Sequence, residues 1–106
     1  MRGTYIHVPW LKPHAMAIFP FVLIRQKHFK QDAVLVNHES IHLRQQIELL
    51  ILPFYFWYAG HYLINLWRFK NAHRAYREII FEREAFACEN NLEYLQNRRR
   101  WGFLKY

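Results

Sequence analysis

The stretch His38-Glu39-Ser40-Ile41-His42 decides how this 106-residue chain is read. Two histidines four positions apart fall on one face of a helix, about one turn from each other, so both imidazoles can reach a single metal ion. Glu39 follows the first histidine, turned by about 100° around the axis. It can approach a metal-activated water without binding the metal, take its proton and pass it to a leaving amine. The pattern therefore predicts zinc as cofactor, His38 and His42 as ligands, and Glu39 as the general base.

The flanking sequence supplies the helix this reading needs. Asp32 is the predicted N-cap of a helix from about residue 33 to about residue 52, ended or kinked at Pro53. Upstream, Thr4-Tyr5-Ile6-His7-Val8 reads as a short strand stopped by Pro9. Met16 to Ile24 is apolar and β-rich, and Pro20 inside it predicts an edge strand or two strand pieces. The part from Ala17 to Ile24 either lies over the cleft, where it can pair with an extended peptide, or packs in the core. Arg25 to Gln31 reads as a loop or hairpin end.

Downstream, residues 54–69 continue a helical pattern rich in aromatics, with His61, Asn65 and Arg68 forming one polar stripe. Asn71 to Arg77 is a short helix or turn. A last helix is predicted over residues 80–97, and Arg98-Arg99-Arg100 would complement its dipole. The sum is one domain over residues 1–106, of α+β class but mostly helical, with a small N-terminal β-sheet.

A catalytic zinc keeps three protein ligands and an open position. His42 is followed by Leu43-Arg44-Gln45-Gln46-Ile47-Glu48, without the glycine and third histidine of metzincins. The third ligand must come from elsewhere, and Glu82, Glu84 and Glu89 are the candidates on the last helix. Glu89 and Glu93 fall on the same helical face as Glu82.

The segment Phe81-Glu82-Arg83-Glu84-Ala85 resembles the Glu-x-x-Ala signature on the glutamate helix of gluzincin metallopeptidases, most closely the membrane-associated ones and the minimal minigluzincins. The resemblance implies a minimal zincin-like fold with an active-site helix and a glutamate helix. It also implies peptide-bond hydrolysis on a peptide or protein substrate, with Glu82 as third ligand and Ala85 as the small residue that lets the two helices approach. Phe86 departs from the pattern, because the family often has there an aspartate that orients a ligand histidine. Gln45, near His42 on the same face, is the candidate for that task. Tyr76, His73 and His61 are candidates to stabilise the transition state. The alternative is a catalytically inactive gluzincin-like scaffold acting as a membrane-surface or regulatory binding module.

Composition bounds the partners. The chain is 53% hydrophobic and 19% aromatic, enough for a compact core, and carries a net charge of +7. That charge favours anionic surfaces such as a membrane. No helix-turn-helix or RNA-binding signature accompanies it, so nucleic acid is not an expected partner. Residues 49–59 are uncharged but too short to span a bilayer, and read as a core helix or one lying at a membrane interface. The single Cys88 excludes a disulfide framework and reads as a small core residue. The first ten residues lack the apolar run of a signal peptide. A cytoplasmic location, free or peripheral to the membrane, is expected.

Overall fold

The computed structural model describes residues 3–106. Three short strands come first: β1 (Thr4–His7), β2 (Ala15–Ile18) and β3 (Phe21–Ile24). They form one mixed sheet in the order β1-β3-β2, with β1 parallel and β2 antiparallel to β3. The Met16–Ile24 segment is thus two strand pieces, with Pro20 in the turn between them. The central strand is β3, and the open edge of this hairpin belongs to β2. Val22 and Ile24 point inward with Ala17 and pack on Leu43. Gly3 enters this region where a Cβ would meet Leu43 Cδ1 at 2.8 Å, so no larger residue fits without displacement.

A 3-10 turn (Lys27–Gln31) leads to α1 (Ala33–Glu48). Asp32 caps it as expected, its side chain accepting from Leu35 N at 3.2 Å. The helix stops at Glu48 rather than near residue 52. The Pro53 ring would collide with the carbonyl of Leu49 in a continuous helix, which explains a break before that residue. Leu50 and Ile51 take φ values of 61° and 69°, and α2 (Leu52–Phe69) leaves at 114° to α1. Pro53 then lies in the first turn of α2, where its missing N–H is harmless.

The chain continues through α3 (Ala72–Arg77), α4 (Ile80–Cys88) and α5 (Tyr94–Asn97), and closes with a 3-10 turn (Gly102–Lys105). The single helix expected over 80–97 is therefore divided. Asn37 of α1 explains where it stops: its amide nitrogen donates to the carbonyls of Cys88, Glu89 and Asn91 at 3.2, 2.8 and 2.9 Å. These carbonyls lie at and just beyond the end of α4, and those of Cys88 and Asn91 also accept from Asn91 N and Tyr94 N.

Two packing contacts position the site. Ile41 of α1 meets Ala85 and Cys88 of α4, all buried, so the small Ala85 does allow close approach and Cys88 is a core residue. Leu49, Phe54, Ile79, Phe81 and Phe103 form the second core, between α2, α4 and the C-terminal turn.

Candidate metal site

The packing of α1 on α4 brings His38, His42 and Glu82 together, all three buried. Nε2 of His38 lies 3.2 Å from Glu82 Oε1, and Nε2 of His42 lies 3.1 Å from the same oxygen. Among the described residues this is the group of three donors that can hold a metal ion.

The outer nitrogens fix the tautomers. His38 Nδ1 is 2.7 Å from Glu89 Oε1, and a carboxylate only accepts, so Nδ1 carries the proton. His42 Nδ1 is 2.8 Å from Gln45 Oε1. The Gln45 amide cannot be turned around, because its Nε2 donates to Phe81 O at 3.1 Å and to Glu84 Oε1 at 2.8 Å. In the neutral rings both Nε2 atoms are then lone pairs aimed at a carboxylate oxygen. Three acceptors cannot satisfy one another; they need added protons or a cation between them. The donor set therefore fits a metal ion. The spacing also fits, since ligands about 2 Å from a tetrahedral ion stand about 3.3 Å apart.

Charge follows this arrangement. Burial opposes the charged form of His42, but the Glu82 and Glu39 carboxylates and the Gln45 carbonyl outweigh it, and its pKa is pushed up to about 9. Burial likewise opposes a charged Glu82, yet the two histidines hold it well below the usual carboxylate range. Glu39 is different. Burial dominates there and raises its pKa, against the attraction of His42 and His38.

One cleft gathers His38, Glu39, His42 and Glu82 with Tyr58 and Tyr76. Ala15, Met16 and Ala17 of β2 form another wall. Tyr58 donates to Glu82 Oε2 at 2.7 Å and so holds the carboxylate from the side opposite the histidines. The sequence reading missed it, although Tyr58 lies one turn before His61 and extends the polar stripe it defined. Burial and the nearby Glu82 raise the pKa of both tyrosines, which keeps their hydroxyls protonated.

The remaining candidates divide. Tyr76 reaches the cleft, whereas His73 is exposed on α3 and does not line it. His61 Nδ1 accepts from Ile80 N at 3.1 Å and caps the start of α4. Gln45 Oε1 contacts His42 Nδ1, where it can orient the ring. The orienting of His38 falls to Glu89, while Phe86 stacks edge-on against that ring at 4.6 Å. Glu84, a competing ligand candidate, faces away from the metal donors. It accepts from Gln45, from Tyr94 at 2.5 Å and from the Arg98 guanidinium.

Arg98 corrects another expectation. Expected as a cation complementing a helix dipole, it is a buried group that bridges Glu84 to Glu48 with a 2.8 Å contact to the latter. A continuous chain of polar contacts thus runs Arg98–Glu84–Gln45–His42.

No family model, curated protein or solved structure matches the chain.

Proposed function

We propose that this chain is a zinc-dependent metallopeptidase of gluzincin type. The convergence of His38 Nε2, His42 Nε2 and Glu82 Oε1, with Glu39 in the same cleft, carries the proposal. Two imidazoles and one carboxylate are a zinc donor set that leaves a coordination position open.

When bound, the zinc ion supplies a Lewis acid that polarises a carbonyl and acidifies water. The chain's own residues do the rest. Glu89 and Gln45 hold the histidine rings so that Nε2 of each faces inward. Tyr58 holds Glu82. Glu39 takes a proton from the attacking water on a carboxylate oxygen. It returns that proton to the departing amine. Tyr76, protonated and in the cleft, donates a hydrogen bond to the developing oxyanion.

The substrate backbone has a place to lie. Arg25 N donates to His14 O at 2.9 Å, which makes 14 and 25 a hydrogen-bonded pair, so Ala15 and Ala17 turn their amides away from β3. The Ala17 carbonyl is taken by Gln46 and Tyr55, at 2.8 and 3.1 Å. An extended peptide would add at Ala15 and at the Ala17 N–H.

The test is metal content by mass spectrometry together with cleavage of a quenched fluorescent peptide mixture. Wild type should carry about one zinc per chain, and Glu82→Ala and His42→Ala should lose it. Glu39→Gln should keep the metal and lose cleavage. Full zinc in His42→Ala would overturn the assignment.

A further inference from the structure

The polarity of α2 is inverted. Its polar residues point into the protein: Asn65 is 1% exposed with its amide donating to Ala75 O, and His61 caps α4. Several of its large apolar residues point out, although Phe54 is buried. At 100° per residue, Leu52, Phe56, Leu63 and Trp67 lie along one line on the side opposite Phe54 and Asn65, with Ile64 beside them. Their exposures are 67%, 78%, 62% and 79%, and 58% for Ile64. No charged residue occurs from Leu52 to Trp67. Scattered surface apolar residues are ordinary, but a stripe running the length of a helix marks a contact surface.

A further apolar group lies on the flank of the helix. Trp57 stacks edge-on against Phe103 at 5.4 Å, and Phe103 lies 6.2 Å from Trp101. Trp101 and Leu104 are exposed beside it. Basic residues border both ends: Arg68 and Lys70 at the end of α2, and Arg99, Arg100 and Lys105 around Trp101, all exposed.

Two observations decide the occupant. Helix α2 has 18 residues, about 27 Å at 1.5 Å each, and among the described residues no single helix is long and apolar enough to cross a membrane. A second copy would bring a net charge of +7 against another +7. A flat apolar stripe with tryptophans and a basic rim matches the interface of an anionic bilayer, where apolar residues enter the acyl boundary and cations meet headgroups.

We propose that the outer face of α2 docks this protein in the plane of an anionic phospholipid bilayer. This goes beyond the peptidase reading and stands without it, since the docking face includes none of the metal donors.

Flotation of the full chain tests it, with vesicles of phosphatidylcholine alone and of phosphatidylcholine with equal phosphatidylglycerol. Wild type should float with the anionic vesicles, shift its tryptophan emission to the blue, and lose binding as salt rises. Phe56→Glu and Leu63→Glu, both at exposed positions, should lower vesicle partitioning at least about tenfold each while far-ultraviolet circular dichroism stays unchanged. Wild type that stays with the unbound fraction at low salt overturns the proposal, as does equal flotation of the variants. A dimer that these substitutions split, with no vesicle binding, would assign the face to a second copy and overturn it as well.

Discussion

Glu89 Oε1 stands 2.7 Å from Nδ1 of His38, a contact from the end of α4 to α1 that fixes the ring from outside the metal site. It stands where it can do the orienting task that the resembled pattern gives to an aspartate at the position of Phe86, a task for which Gln45 is the candidate in the sequence. Glu89→Ala should therefore weaken zinc binding about ten- to hundredfold. Glu89→Gln, which keeps an acceptor, should lose less. Competition against a chromophoric chelator measures both, and an unchanged affinity in Glu89→Ala would show that the ring needs no such support.

Arg98→Met should be strongly destabilising. The side chain is buried between Glu84 and Glu48, and removing it leaves Glu84, itself fully buried, without its cation. Losing one partner of such a group costs about 3–5 kcal/mol. Urea unfolding reads this directly. Arg98→Met combined with Glu84→Gln should recover part of the loss, and a double variant no better than the single one would contradict the pairing.

Zinc affinity should rise with pH. In the metal-free protein the His42 pKa moves from 6.5 to about 9, so its proton stabilises that state fully below 6.5, and the contribution disappears as pH rises through 9. Zinc must displace the proton. Apparent affinity should then increase about tenfold per pH unit between about pH 7 and 9. Calorimetric titration in buffers of different ionisation enthalpy would detect the released proton, and a pH-independent affinity would rule this out.

Gln46 fastens β2 to α1, accepting from Phe19 N at 2.7 Å and donating to Ala17 O at 2.8 Å. Gln46→Ala leaves the part-buried Phe19 N–H without its partner and the Ala17 carbonyl with Tyr55 alone, at a cost of about 1–3 kcal/mol. Hydrogen exchange by mass spectrometry should show faster exchange at residues 15–19 with α1 unchanged. Uniformly faster exchange would mean that Gln46 supports the whole fold rather than the cleft wall.

The local code was legible where one residue type settles the geometry. Asp32 caps, Pro20 divides the strands, and the two histidines of α1 face one way because their spacing requires it. The ligand choice among Glu82, Glu84 and Glu89 came from the resemblance, and the three glutamates turn out to hold three different positions around the site. Glu89 lay in view, on the same helical face as Glu82, but its use depends on where α1 sits. The buried role of Arg98 is not legible locally, because its carboxylates come from positions 48 and 84. The division between α4 and α5 depends on Asn37, more than fifty positions away, which no local propensity can report.

Helix α2 has Tyr58 on one side and Phe56 and Leu63 on the other. It therefore acts as a spacer of fixed height. Whatever plane its outer side rests on, the carboxylate of Glu82 stands at least one helix diameter, about 10 Å, above it. Reach would then be measured from that plane, and a scissile bond much farther from it would miss the cleft whatever its sequence.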